Sequence, residues 1–166
     1  MESTCGSDLR IQKIERMISQ AWGKLSAGDK IGATVKFAES AEEAKRVTVQ
    51  SSQLAQCLWE VGVGLFMIGP AHDHNAVLYL TQALRIYTRE LGAGSIECGR
   101  IHRQMSAIFA SSGMHQQSLT SLRRAVEIFE TLLTPNFGVD AESGKDIRLK
   151  QLSTRMEQFA NARANL

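Results

Sequence analysis

A short pattern of small and large residues recurs three times along the chain. In each copy, a small residue is followed by a large one four positions later and by another small one three positions after that. The copies are Ala33-Phe37-Ser40 after Gly28, Ala76-Leu80-Ala83 after Gly69, and Ser118-Leu122-Ala125 after Gly113. These spacings place the three residues on one helix face, where small residues let two helices approach and the large one fills the groove. The pattern therefore predicts a repeated helix hairpin with a glycine in its turn.

Apolar residues recur at helical spacing along nearly the whole chain, and no long segment alternates apolar and polar residues. Only two of the 166 residues are proline, which leaves room for long uninterrupted helices. We predict an all-α fold of about seven helices. The first begins after a cap at Ser7 or Asp8 and ends near Gly28, and the others span about 29–47, 51–68, 74–91, 96–112, 115–133 and 145–166. The sixth helix is predicted to turn Leu119, Leu122, Ala125, Val126 and Phe129 inward, and Asp73 is predicted to cap the fourth.

Composition and charge limit the possible functions. Hydrophobic residues make up 43% of the chain, enough for a core, and the net charge is only +2, from 19 basic and 17 acidic residues. This balance gives no electrostatic basis for binding nucleic acid or a membrane surface. Three widely spaced cysteines indicate no disulfide framework, and neither a secretory signal nor a membrane-spanning run is visible. We therefore expect a cytoplasmic protein in a reducing compartment, without membrane contact.

The repeated hairpins resemble a tetratricopeptide-repeat (TPR) array. The third unit carries the pattern best, with Ser106 and Phe109 before Gly113 and the triad after it. Repeat spacings of 42 and 43 residues exceed the roughly 34 usual for the family and look like the long-helix variant of kinesin light chains, whose repeats contain stretches similar to residues 83–92. The aromatic residue of the family's fourth position is missing. The alternative is an ordinary helical bundle in which these spacings arise by chance.

The resemblance implies a short right-handed superhelix of stacked antiparallel hairpins. On this interpretation residues 1–8 form a flexible N-terminus and residues 9–133 form three TPR-like hairpins. Residues 134–144 form a loop, and residues 145–166 form a C-terminal capping helix.

The resemblance also implies a concave surface lined by the first helix of each hairpin. Such a groove would bind a peptide or amphipathic helix of a partner, and the protein would be an interaction adaptor or scaffold. The inward positions that we expect to bind the partner are Ile18, Trp22, Trp59, Val63, Phe66, Arg100 and Arg103, which make an apolar groove with a basic end. Glu15 and Gln56 fall on the same inward faces. The alternative is that Trp22, Trp59 and Phe66 are core residues between neighbouring hairpins, and the last helix could fold into the groove.

One binding mode of TPR domains can be tested against the sequence. Domains that grip the acidic carboxyl terminus of heat-shock chaperones place lysine, asparagine and arginine at set positions of the groove. The matching positions here hold Ile18, Trp22, Glu60, Arg100 and Gln104, of which only Arg100 suits a carboxylate. We therefore expect no chaperone carboxylate clamp.

Enzymatic chemistry finds little support in the sequence. His72-Asp73-His74 contains metal-ligand residue types, but it follows a helix-breaking Gly69-Pro70, where a capping role explains it better. We expect no catalytic residue, no metal and no cofactor.

Two other classes of function stay open. A short array with exposed apolar positions could be a self-associating subunit of a larger assembly. RNA binding is the weaker alternative, and it would use Arg85, Arg89, Arg100, Arg103, Arg123 and Arg124.

Overall fold

The computed structural model describes residues 4–134, with side chains from residue 8 onward. Six α-helices occupy nearly all of this range, and no strand occurs within it. They are α1 (Thr4–Ser26), α2 (Lys30–Lys45), α3 (Ser52–Ile68), α4 (Asp73–Leu91), α5 (Ile96–Ser111) and α6 (His115–Leu133), with a single 3₁₀ turn at Pro70–His72. The predicted all-α fold is confirmed for these residues. The predicted seventh helix, 145–166, and the loop before it from residue 135 lie outside the described residues.

Local sequence signals set most helix ends. Asp29, Ser51 and Ser95 each accept a hydrogen bond from a backbone N–H in the first turn of the following helix. Two turns need glycine, because Gly28 and Gly113 adopt φ values of 84° and 74°, which side chains with a Cβ rarely adopt. The predicted ends of five helices therefore agree with the structure to within a few residues. The first helix begins at Thr4, earlier than the predicted cap at Ser7 or Asp8.

The prediction that Asp73 caps α4 is wrong. His72 occupies the N-cap position and makes no side-chain capping bond, while Asp73 is the first helical residue and is buried. Its Oδ2 accepts a hydrogen bond from the hydroxyl of Ser112 at 2.8 Å, and the hydroxyl of Ser111, which donates to the carbonyl oxygen of Ile108 at 2.8 Å, lies 3.5 Å away. These serines lie 38 and 39 residues away at the end of α5, so the carboxylate joins two hairpins instead of closing its own helix.

The helices pack as three consecutive hairpins. α1 pairs with α2, α3 with α4 and α5 with α6, and each pair is stacked on the next through contacts of α3 with α2 and of α5 with α4. The first helices are also neighbours, since α3 contacts both α1 and α5. We call the surface formed by α1, α3 and α5 the first-helix face.

Small residues stand where the helices cross, as the recurring pattern predicts. A Cβ on Gly62 of α3 would lie 3.0 Å from the carbonyl oxygen of Ala76 on α4. In the third hairpin the same place is taken by Ser106 and Ser118, whose hydroxyls are 3.1 Å apart and hydrogen-bonded. At these two crossings the backbones are therefore close enough that a larger side chain would force them apart.

The three triads differ in burial. Every residue of the first two triads is fully buried, including the large residues Phe37 and Leu80. In the third, Leu122 is 44% exposed, and its neighbours Leu119 and Val126 are also exposed. The prediction that α6 turns Leu119, Leu122 and Val126 inward is therefore wrong. In the first two hairpins the next hairpin stacks against the second helix, and within residues 4–134 no further hairpin follows α6.

An ion-pair cluster joins α1 to α2 on the outside of the first hairpin. Glu43 lies against Lys13 at 3.2 Å, Arg46 at 3.4 Å and Arg10 at 3.5 Å. The hydrogen bond from Lys13, with the positive charges of all three bases, holds the pKa of the Glu43 carboxyl below its usual value. Through Arg10 and Lys13 the cluster links α1 to α2 by ion pairs.

Candidate functional site

A pocket of about 350 Å³ opens on the first-helix face between α1 and α3. Seven residues line it: Glu15, Ile18, Ser19 and Trp22 from α1, and Gln56, Cys57 and Glu60 from α3. On α1 these residues are three and four positions apart, and on α3 they span one turn, so each helix contributes one face. We call this cavity the α1–α3 pocket.

A hydrogen-bond relay fixes the polar wall of the pocket. The buried hydroxyl of Tyr87 on α4 donates to Gln56 Oε1 at 3.2 Å, and Gln56 Nε2 donates to Glu60 Oε1 at 2.9 Å. Burial, followed by the negative charge of Glu97, raises the pKa of the Tyr87 phenol to about 12. The phenol therefore keeps its proton and stays a donor, which orients the amide of Gln56 toward the carboxylate of Glu60.

Two carboxylates face the pocket without a basic partner. Neither Glu15 nor Glu60 forms an ion pair with any lysine or arginine among the side chains described, and no basic residue lines the cavity. Their charge also acts on the buried thiol beside them. Burial, and then the charges of Glu15 and Glu60, raise the pKa of Cys57 to about 12. The pocket is thus a region of negative potential.

The aromatic wall of the pocket is Trp22. Its ring packs edge-to-face on Phe37 of α2, with the ring centroids 5.4 Å apart and the planes at 85°. Phe37 is fully buried, so it holds the indole in place while part of Trp22 stays open to the pocket. Ile18, also proposed from the sequence as a partner-binding residue, is 2% exposed and belongs to the core. It can present to a ligand only the small surface that lines the pocket.

The other predicted contact residues of α3 lie between core and surface. Trp59, Val63 and Phe66 are partly buried and pack against the hydrophobic core. The indole N–H of Trp59 is buried and has no hydrogen-bond partner among the described atoms. Neither of the two descriptions from the sequence, groove residue or core residue, fits them completely, since each has one side on the core and one open.

The predicted basic end of the groove lies on α5. Arg100 and Arg103 are exposed there, and neither lines the α1–α3 pocket. Other arginines of the second half are already held within the chain. Arg89 donates to the backbone oxygen of Gln50 at 2.8 Å, and Arg124 pairs with Glu127 at 3.1 Å. The first-helix face therefore carries two carboxylates at the α1–α3 pocket and two exposed arginines on α5.

The His72-Asp73-His74 segment, which carries metal-ligand residue types, lies at the start of α4. Asp73 accepts a hydrogen bond from the hydroxyl of Ser112, and His74 is exposed on the helix surface beside it. Within the described part of the chain, no three histidine, cysteine or acidic side chains come together to hold a metal ion. None of the described helices is both long and apolar enough to cross a bilayer.

The sequence placed Glu15 and Gln56 on the inward faces but missed the acidic character of the site. From the sequence alone, Glu60 was interpreted only as a residue that would repel an incoming carboxylate. The missing information is the pairing of α1 with α3, because Glu15 and Glu60 are 45 positions apart and share a cavity only after the hairpins stack.

No protein-family model matches the chain, and no curated protein matches it either. What the chain can bind therefore has to be inferred from the geometry of its first-helix face.

Proposed function

We propose that the chain is a protein-interaction module that binds a peptide or an amphipathic helix of a partner on its first-helix face. The proposal rests on the α1–α3 pocket, in which Gln56 orients the carboxylate of Glu60 and Phe37 holds the indole of Trp22 in place. Binding pockets in proteins typically combine apolar and aromatic walls with a few fixed polar groups. The resemblance to TPR arrays, which bind peptides along the same kind of face, agrees with this role.

Side chains outside the α1–α3 pocket support a contact with the partner that extends along α3 and α5. The partly open side chains of Trp59, Val63 and Phe66 continue along α3, and Arg100 and Arg103 follow on α5. Aromatic and arginine side chains are enriched at the energetic centres of protein interfaces. A partner segment crossing the first helices would meet apolar area in the middle and opposite charges at its two ends.

Affinity capture with two matched variants tests the module. Ser19→Phe fills the mouth of the pocket from an exposed position, and Gln20→Phe adds the same ring at the next exposed position of α1, outside the pocket. We expect proteins captured from extract by the unmodified chain to be lost with Ser19→Phe and kept with Gln20→Phe. Captured proteins that are insensitive to both variants would contradict the proposal, and those released by nuclease would favour RNA binding.

The second candidate is a self-associating subunit, which the exposed apolar stripe on α6 favours. Leu119, Leu122 and Val126 lie on this stripe, and the positions that match them in α4 are buried or partly buried beside α5. Sedimentation equilibrium would test it. A dimer that dissociates in the Leu122→Glu/Val126→Glu variant would support this candidate, and a monomer at all concentrations would eliminate it.

A further inference from the structure

We infer that the α1–α3 pocket takes a lysine or arginine side chain of the bound segment, with its cationic head between Glu15 and Glu60. The inference rests on the proposed function and adds to it the chemical class of the residue that anchors the partner. The sequence predicts charge recognition at Arg100 and Arg103 of α5, and the pocket adds a second charged contact of the opposite sign.

Charge is the first argument. Two carboxylates from different helices face one cavity, and no lysine or arginine of the described chain pairs with either of them. Six other described acids form ion pairs, among them Asp29 with Lys24, Glu39 with Lys36 and Glu43 with three bases, whereas Asp73 and Glu97 form none. Arg100 acts electrostatically on Tyr87, but it neither lines the cavity nor bridges to these two acids. A cation from outside would complete the charge balance that the pocket lacks.

The hydrogen-bonding groups of the pocket also select a donor. Glu60 is held by Gln56, whose carbonyl oxygen is occupied by the Tyr87 hydroxyl. The remaining lone pairs of the two carboxylates are acceptors, and the Cys57 thiol beside them is kept neutral. An ammonium or guanidinium group brings only donors, whereas an anion would meet like charge.

The shape of the pocket suits a long side chain with an apolar stem. Trp22 provides an aromatic wall fixed by Phe37, and Ile18 contributes apolar surface below it. Methylene groups of lysine or arginine pack well on such surfaces while the head remains polar, and a cation beside an indole gains further attraction. A volume of about 350 Å³ has room for a side chain but not for a whole helix.

Selection from a random peptide library displayed on phage tests the inference with three forms of the chain. These are the unmodified chain, the pocket variant Glu15→Gln/Glu60→Gln and the control Glu39→Gln/Glu42→Gln. The control makes the same change of net charge at two exposed positions of α2 that lie outside the pocket. We expect the unmodified chain and the control to select peptides with lysine or arginine at one fixed position. We expect the pocket variant to lose that preference.

A synthetic copy of a selected peptide then isolates the cation. Norleucine in place of lysine keeps the four-carbon stem without the ammonium group, and citrulline in place of arginine keeps the length of the side chain without the charge. We expect this change to weaken binding to the unmodified chain about tenfold and to leave binding to the pocket variant unchanged. Melting curves of the variants, followed by circular dichroism, check that the glutamine substitutions preserve the fold.

The contrary outcomes separate the two proposals. Peptides without a fixed basic position, whose binding Ser19→Phe still abolishes, would overturn the cation anchor and leave the interaction module standing. A basic position retained by the pocket variant would likewise refute the role of Glu15 and Glu60. Failure to select any peptide on the unmodified chain would count against the module itself.

Discussion

At the scale of single residues, the chemistry of Cys57 follows from its place in the pocket. Because only the thiolate reacts, a thiol whose pKa is raised to about 12 resists alkylation near neutral pH. We expect iodoacetamide at about pH 8 to label Cys57 far more slowly in the folded chain than in urea, since a free thiol ionises near pH 8.5. Mass spectrometry of a Cys5→Ser variant would measure this, and fast labelling of native Cys57 would contradict the buried position.

His102 on α5 makes the free energy of unfolding depend on pH. Burial, followed by the positive charge of Arg124, holds the pKa of the imidazole below its ordinary 6.5. The unfolded chain therefore binds a proton more readily than the folded one, so the free energy of unfolding falls as pH drops below 6.5. Well above pH 6.5 the imidazole is neutral in both states, so the histidine contributes no pH dependence there.

Urea titrations at about pH 7.5 and about pH 5.5 would check this effect. We expect His102→Gln to reduce the difference in unfolding free energy between the two conditions. His115→Gln is the control, because His115 is exposed at the start of α6. An equal pH dependence in the His102 variant and the unmodified chain would show that other groups cause it.

At the scale of helices, two glycines in helix interiors have opposite consequences. A Cβ on Gly64 of α3 would lie 2.1 Å from Cζ of Phe37, which is fully buried and cannot turn away, whereas a Cβ on Gly23 of α1 meets nothing within 4 Å. We expect Gly64→Ala to destabilise the fold by about 1–3 kcal/mol through overpacking. Gly23→Ala should instead stabilise it by about 0.5–1 kcal/mol, since alanine favours helix. Thermal melts of the two variants would measure the contrast, and similar shifts would refute the stacking of α2 on α3.

The helices themselves could be predicted well because their ends depend on nearby residues. Caps at Asp29, Ser51 and Ser95 and breaks at Gly28 and Gly113 act within a few positions of the chain. Asp73 shows the limit of such reasoning. Its residue type favours a cap, but the hydroxyl of Ser112, just after α5, donates to the carboxylate, and only the folded chain brings the two together.

At the scale of the whole molecule, the same repeat position has a different importance in different hairpins. Leu80 and Leu122 occupy matching places in α4 and α6, yet Leu80 is fully buried and Leu122 is 44% exposed. We expect Leu80→Ala to cost about 2–5 kcal/mol of stability, the usual range for a buried leucine. Leu122→Ala should cost less than about 1.5 kcal/mol, because much of its surface is already in water. Denaturant titrations would compare them, and equal losses would mean that Leu122 is covered in solution.

The difference between Leu80 and Leu122 also shows which features of the fold and the site can be predicted from the sequence and which cannot. The recurring triad predicted the hairpins and the small residues at their crossings, since those depend on spacing within one unit. It could not predict the exposed side of α6, because that depends on whether another hairpin follows. The acidic pocket was missed for a similar reason, as Glu15 and Glu60 belong to separate units.

The open side of α6 has a consequence for the order in which the chain comes apart. α4 has six buried residues, among them Leu80 and Tyr87, while α6 has only Ser121, Ala125 and Ile128. Local unfolding begins where few side chains are buried, so backbone amides of α6 should exchange with deuterium sooner than those of α3 and α4. The third hairpin would then fray while the first two, which hold the α1–α3 pocket, remain closed. Damage at the far end of the three hairpins would in this way leave the α1–α3 pocket intact.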